Sequence, residues 1–247
     1  MAAETRTWGI IPAAGIGSRI QPLAFSKELL PLGTRIDDAG AERPRAVSDH
    51  LVERLVLAGA TRLCFVISPA KTDILRHFGH RALGADVCYA IQPEPRGLCD
   101  AIFRALPFVD PAADLLVGLP DSLWFPREAL ATVPPGELGF LLFPVAQPAL
   151  FDAVDTDSQG RVMAVRTKEP ADGPGWIWGA LRLPVAVLAA LHALWVARGS
   201  RDEFLGPLVN AYLAQGGRAV GVRAGDRYVD VGTVDGYRDA LALLGRP

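Results

Sequence analysis

The sequence is poor in the groups that most often build metal clusters and proton relays. Only three cysteines occur in 247 residues. Cys64, Cys88 and Cys99 are odd in number and lack metal-ligand spacing, which excludes a disulfide framework and a cysteine-built metal site. Cys64 and Cys88 fall in strand-like apolar runs, where a thiol serves as a small apolar group. Histidine is nearly as scarce, with four residues. His50, His77, His80 and His192 lie in helical or loop stretches, so no histidine is placed to act as a general base. Charge of one sign is also missing: the formal net charge is −2, which gives no electrostatic case for nucleic acid or an anionic membrane. The longest apolar stretch, Leu183 to Ala197, is interrupted by Pro184 and His192 and is too short to span a bilayer. Met1 to Thr7 lacks the apolar core of a secretion signal, and no internal repeat is visible. A soluble, cytoplasmic chain is expected.

What is abundant is buried-sheet material. Hydrophobic residues make up 50% of the chain, and a chain of this length suits one α/β domain, residues 1–247. Trp8 to Ile11, Leu63 to Ile67, Val87 to Ile91 and Leu115 to Leu119 read as buried strands. Helical spacing of Leu51, Val52, Leu55 and Val56 predicts a helix between them, with Ser48-Asp49 as its N-cap and Gly59 closing it. A second helix is expected from about Lys71 to Phe78. Alternating strands and helices imply right-handed crossovers and a mixed, mostly parallel sheet flanked by helices, of Rossmann-like type. Gly33 to Pro44 is polar and reads as a loop. Further on, Gly139 to Val145 is extended, Asp155 to Gly160 turns into Val162 to Arg166, and Val185 to Val196 and Glu203 to Leu213 read as amphipathic helices. The strand Ala219 to Val222 follows Gly216-Gly217.

The most informative stretch is Pro12-Ala13-Ala14-Gly15-Ile16-Gly17-Ser18-Arg19, directly after the first strand. Its small residues let a backbone approach a ligand closely, and successive free N–H groups form a concavity suited to phosphate oxygens. Arg19 and Lys27 add positive charge. The dinucleotide fingerprint would need a third glycine where Ile20 stands, and an acid near the end of the second strand, which instead ends in Ser68-Pro69. The P-loop would need a Gly-Lys-Ser/Thr triplet, which this loop lacks. A second loop, Gln92-Pro93-Glu94-Pro95-Arg96-Gly97, opens an apolar helix and should present free backbone amides. Asp121 follows the fourth strand, at the edge where open α/β sheets bind ligands.

In this order the motifs resemble the sugar-1-phosphate nucleotidyltransferases. Ala13 to Arg19, Pro22, Ser26-Lys27 and Leu29-Leu30-Pro31 match that family's signature loop, and Ser26 to Pro31 is closest to its glucose-1-phosphate thymidylyltransferase branch. Gln92 to Ala101, Asp121, Arg166 to Pro170, Trp176 to Ala180 and Tyr228 to Tyr237 are similar to its later elements, so the resemblance spans nearly the whole chain. It implies the nucleotide-diphospho-sugar transferase fold and nucleotide contacts from Ala13, Ala14, Gly15, Gly17 and Ser18. It also implies base contacts from Gln92 and Gly97, and Mg²⁺ held by Asp121 and Asp230. Arg19 would act on the β/γ phosphates and Lys27 on the α-phosphate. Lys168, Glu169 and Gly179 would face the sugar phosphate, with Lys168-Glu169 inverted relative to the family's Glu-Lys-Pro order. The tryptophans beside Gly179 suit carbohydrate, although core packing explains either one equally well. No trailing left-handed helix domain is expected.

The implied reaction joins an NTP, dTTP or UTP favoured, to a sugar 1-phosphate, with Mg²⁺ as cofactor and no nucleic-acid or membrane partner. The oligomeric state is left open, a homo-oligomer included. Two other readings stand beside it. One is a catalytically silent sugar-nucleotide binder; the other is a cytidylyl- or uridylyltransferase acting on a different phosphorylated acceptor. A glycosyltransferase would show an Asp-x-Asp triplet where Pro120-Asp121-Ser122-Leu123 stands.

Overall fold

Residues 6–37, 39–170 and 173–245 are described by the computed structural model. The chain begins with β1 (Thr7–Pro12), the central strand of the sheet. It then runs through the glycine loop and one turn of 3-10 helix, Lys27–Leu29. Two short strands follow, β2 (Pro31–Ile36) and β3 (Glu42–Ala46). They pair antiparallel as a separate ribbon, so the polar stretch expected to be a loop is largely a hairpin. Both strands are mostly exposed, so no apolar alternation marks them.

Helix α1 (Val47–Leu57) starts one residue before the expected cap. Asp49 reaches back to accept from the Ala46 amide at 2.9 Å, the acidic half of a capping arrangement. Ser48 is buried and donates to the Glu28 carbonyl instead. Strand β4 (Arg62–Ile67), helix α2 (Thr72–Phe78), the two-residue β5 (Arg81–Ala82), β6 (Ala85–Ile91), helix α3 (Gly97–Phe103) and β7 (Asp114–Gly118) come next. Strands β1, β4, β6 and β7 are parallel to one another. Their alternate residues serve two cores. Trp8, Ile10, Cys64, Val66, Leu115 and Val117 pack on one face, and Ile11, Leu63, Phe65, Ile67 and Leu116 on the other. A strand covered on both sides needs apolar residues at every position, which is why these runs are continuous.

The second half adds β8 (Ser122–Phe125), β9 (Leu138–Val145), β10 (Asp152–Thr156), β11 (Val162–Thr167) and β12 (Gly175–Pro184). Helices α4 (Val185–Ala197) and α5 (Leu205–Ala214) follow, then β13 (Ala219–Val222), β14 (Arg227–Asp230) and α6 (Val234–Leu244). The main sheet runs β11-β10-β12-β7-β1-β4-β6-β5, with β9 on β12 and β13 on β9. Strand β12 lies antiparallel to β7, so the added strands extend the parallel centre into a mixed sheet. Strands β8 and β14 pair only with each other, Ser122 opposite Asp230. A third, smaller core of Ile20, Leu32, Val47, Leu123, Val231 and Ala240 lies beneath the two ribbons. Among the described residues no helix is long and apolar enough to cross a membrane.

Candidate active site

A cleft of about 270 Å³ opens where β1 and β7 end, with Pro12 and Leu119 on its floor. Arg19, Lys27, Asp121, Lys168 and Asp230 all line it, so five of the charged residues singled out in the sequence come together. Glu169 does not: it is exposed and outside the lining.

The glycine loop leaves β1 with the Ala13 amide still bonded to the Val66 carbonyl. Among the described residues no protein group accepts from the amides of residues 14 to 19, which leaves them for an anion. Gly17 has φ +73°, and a Cβ there would come 2.6 Å from Cδ of Lys27. Glycine therefore both makes the turn and clears the path of the lysine stem. The segment carrying Lys27 is held from below. Asp73 of α2 accepts from the Ser26 amide and hydroxyl, both at 2.6 Å. Lys71 donates to the Ala13 carbonyl at 2.7 Å and to both Glu28 oxygens at 2.7 and 2.8 Å. Burial pushes Glu28 up and Lys71 down, each towards its neutral form. This pair ties the loop, the 3-10 turn and α2 together, and no motif marks it beyond Lys71 at a helix start.

Two ion pairs occupy the centre. Lys27 pairs directly with Asp121, both side chains 13% exposed, and Arg19 meets Asp230 at 2.7 Å with its own side chain 59% exposed. Burial works against the charge of Lys27, yet Asp121, Glu28 and Asp230 outweigh it and raise the lysine pKa. Burial likewise opposes the charge of Asp121, but Lys27 and Arg19 hold that carboxyl below its ordinary range.

The two carboxylates converge at Gly232. A Cβ there would stand 2.5 Å from Oδ2 of Asp121, 2.9 Å from Oδ1 of Asp230 and 3.2 Å from Nη2 of Arg19. The carboxylates arrive from different sheets. Asp121 follows β7 of the main sheet, whereas Asp230 ends β14 of the small ribbon. The Val231 amide closes the gap by donating to the Asp121 carbonyl at 2.8 Å. Among the described residues no group of three or more His, Cys, Asp or Glu side chains is placed to hold a metal. Two converging carboxylates are nonetheless hard oxygen donors of the kind Mg²⁺ takes, with phosphate oxygens and water completing its shell.

The second loop differs from expectation. The amides of Leu98 and Cys99, expected to be free, both point at the Glu203 carbonyl, at 2.8 and 3.4 Å. A Cβ on Gly97 would lie 2.6 Å from the Glu203 Cα, so this glycine admits a neighbouring backbone segment. Gln92 is buried and gives its amide nitrogen to the Gly97 carbonyl and to Asp100 at 3.1 and 2.8 Å. Gly179 sits at a register shift in β12, where a Cβ would meet the Phe143 and Tyr228 rings at 2.5 and 2.9 Å. Its effect on the cleft passes through Tyr228, which lines it. Trp178 lines the cleft, while Trp176 lies outside its lining and stacks under Arg223 at 5.0 Å.

On the opposite wall, Trp178 and Tyr228 belong to segments singled out in the sequence, whereas Leu150, Phe151, Asp152 and Phe204 carry no motif. Burial pushes the Asp152 carboxyl up, against Trp178, Lys168 and Thr167, which favour its charge. No motif announced this acid; only its place after Phe151 at the head of a strand could have.

Residues 8–246 match the nucleotidyl transferase family. The chain belongs to that family. A glucose-1-phosphate thymidylyltransferase of Mycolicibacterium smegmatis is 26% identical over 94% of this chain and 80% of its own length. A UTP–glucose-1-phosphate uridylyltransferase of Haloferax volcanii is 29% identical, over 44% of this chain and 42% of its own length. Among solved structures, a Bacillus anthracis protein named for glucose-1-phosphate thymidylyltransferase activity superposes with a TM-score of 0.79. It covers 96% of this chain and 95% of its own at 22% identity. A UTP-bound UGPase of Acinetobacter baumannii gives 0.74 at 18% identity, covering 99% of this chain and 95% of its own. At these identities the superpositions establish the fold, the mixed, mostly parallel α/β sheet expected of nucleotide-diphospho-sugar transferases, and family membership makes the chain a nucleotidyltransferase.

Proposed function

We propose that this chain, as one domain over residues 1–247, transfers a nucleotidyl group from an NTP to a sugar 1-phosphate, releasing pyrophosphate. The observation that carries the reading is the pairing of two cations with two converging carboxylates beside a loop of unbonded amides. An oxygen of the sugar phosphate forms a bond to the α-phosphorus, and the bond from that phosphorus to the β-phosphate bridging oxygen breaks. Pyrophosphate leaves with the electron pair. The nucleophile is already an anion, so no general base is needed, in keeping with a cleft lined by no histidine. Positioning and charge stabilisation do the catalysis.

Amides of residues 14 to 19 hold the triphosphate. Arg19, the more exposed cation, swings from Asp230 to the β and γ phosphates. Lys27, held by its buried supports, stays at the α-phosphate, where charge develops. Lys168 stands at the far wall for the acceptor phosphate. Asp121 and Asp230 would hold Mg²⁺, which when bound supplies positive charge to the phosphate oxygens. Names of the relatives favour dTTP or UTP. Three free cysteines fit a reducing compartment, the cytoplasm.

The test is pyrophosphate release from each NTP against a panel of sugar 1-phosphates. Asp121→Asn and Asp230→Asn should each abolish Mg²⁺-dependent turnover while NTP binding weakens far less. The double variant should be no worse than either single, because each dismantles the same site. Full activity in either single variant would remove that residue from the site.

A further inference from the structure

The acceptor end of the cleft holds a carboxylate that the motif order did not point to. Asp152 opens β10 and lies opposite Thr167 in the β10–β11 ladder. The next residue, Lys168, is fixed beside it by its backbone N–H, which donates a hydrogen bond to the Phe151 carbonyl at 3.0 Å. Lys168 has φ +52°, in the left-handed region. Its ammonium lies over the Phe204 ring, 4.5 Å from the centroid, rather than closing an ion pair with Asp152.

Two buried donors stand near the same acid. Trp178 Nε1 and Thr167 Oγ1 have no hydrogen-bond partner in the protein, and both favour the charged form of Asp152 without reaching good geometry to it. Polar groups left open in a part-buried wall are costly unless something fills their valences. The rest of the wall is apolar or aromatic, Leu150, Phe151, Trp178, Phe204 and Tyr228, and aromatic rings pack on the C–H face of a sugar. Glu169, the acid beside Lys168 in sequence, is exposed and off the cleft.

We infer that Asp152, supplied from across the strand ladder, accepts a hydrogen bond from a ring hydroxyl of the acceptor and sets which sugar phosphate is used. The inference rests on the acceptor occupying this cleft, as proposed above. Its substrate class is a pyranosyl phosphate with an apolar ring face for the aromatic wall and a hydroxyl directed at Asp152. A hydroxyl-to-carboxylate bond is charge-assisted, so losing it should cost about 10- to 100-fold in kcat/KM.

The experiment uses the full chain with the monodeoxy and deoxyfluoro analogues of its preferred hexose 1-phosphate. A fluorine can accept but cannot donate, so one position should lose the same factor in both series. Asp152→Ala should raise the KM for the parent acceptor by about the same 10- to 100-fold. The KM for NTP and kcat at saturating acceptor should change little, and the variant should no longer distinguish the critical analogue. Should Asp152→Ala fold poorly, judged by circular dichroism and nucleotide affinity, the near-isosteric Asp152→Asn decides, with a smaller rise in acceptor KM. An unchanged acceptor KM, retained discrimination in the variant, or an equal rise in the KM for NTP would each overturn the assignment. Those results leave the reaction class standing. A wild-type protein releasing no pyrophosphate with any sugar phosphate overturns the reaction class and this assignment together.

Discussion

At the scale of single residues, the site depends as much on missing side chains as on charged ones. Gly232 is the sharpest case. The nearest atoms to the Cβ of an alanine there would be the ends of Asp121, Asp230 and Arg19, at 2.5 to 3.2 Å. Those ends can move, and its φ is not in the left-handed region. Gly232→Ala should therefore fold with a stability change within about 0.5 kcal/mol. It should still lose at least roughly 10²-fold in kcat, because the carboxylates and Arg19 are pushed off their common point. Gly97→Ala makes the contrast. Its φ is +85° and the obstacle is the Glu203 backbone at 2.6 Å, so it should cost about 1–3 kcal/mol of stability. Thermal melts and steady-state kinetics on both variants separate the two; wild-type turnover in Gly232→Ala would dissolve the argument for a shared carboxylate site.

At the scale of elements, legibility tracks burial. Strands β1, β4, β6 and β7 are covered on both faces, so their sequences are apolar throughout and their positions follow directly. Asp121, at the end of one of them, was legible for the same reason. The ribbons β2–β3 and β8–β14 were not. Residues 33–44 are polar because that hairpin is largely exposed, and β8 is only four residues long. Asp230 is marked by its Gly-Thr neighbours, but its partner strand β8 is not, so the ribbon that brings it to Asp121 has no signal in the sequence. The first amides of α3 look free in the sequence because nothing local reveals the carbonyl that arrives from residue 203. The hairpin also carries a testable pH dependence. His50 of α1 is buried and donates from Nε2 to the Leu32 carbonyl of β2 at 2.8 Å. Burial, aided by Arg45 and Arg54, lowers its pKa from 6.5 to about 4. Above pH 6.5 the ring is neutral folded and unfolded, so its titration adds nothing. As pH falls from 6.5 towards 4 the unfolded chain takes up a proton that the folded one refuses, and stability drops by about 3 kcal/mol. Urea denaturation of wild type and His50→Gln at pH 7 and 4.5 should show the steeper fall in wild type. Equal falls would show that His50 is not buried as a neutral ring.

At the scale of the whole molecule, the cleft gathers groups from residue 12 to residue 230, and both large cores share one sheet. A ligand that bridges the glycine loop and the β7 end therefore grips segments from the start, middle and end of the chain. Nucleotide with Mg²⁺ should move the main unfolding transition as a unit rather than protect one part. At a free concentration about 100 times Kd the linkage is worth about 2.7 kcal/mol, or about 5–10 °C for a chain of this size. Arg19→Ala discriminates between a phosphate role and a structural one. Its side chain is 59% exposed and its pair with Asp230 is a surface contact, so the ligand-free melting temperature should hardly change. Its nucleotide-induced shift should shrink markedly, because the charge meant for the β and γ phosphates is gone, and turnover should fall by roughly 10²–10³-fold. Melting curves with and without UTP or dTTP decide it. A full shift in Arg19→Ala would place the triphosphate away from Arg19, whereas a lower ligand-free melting temperature with an unchanged shift would make the Arg19–Asp230 pair structural.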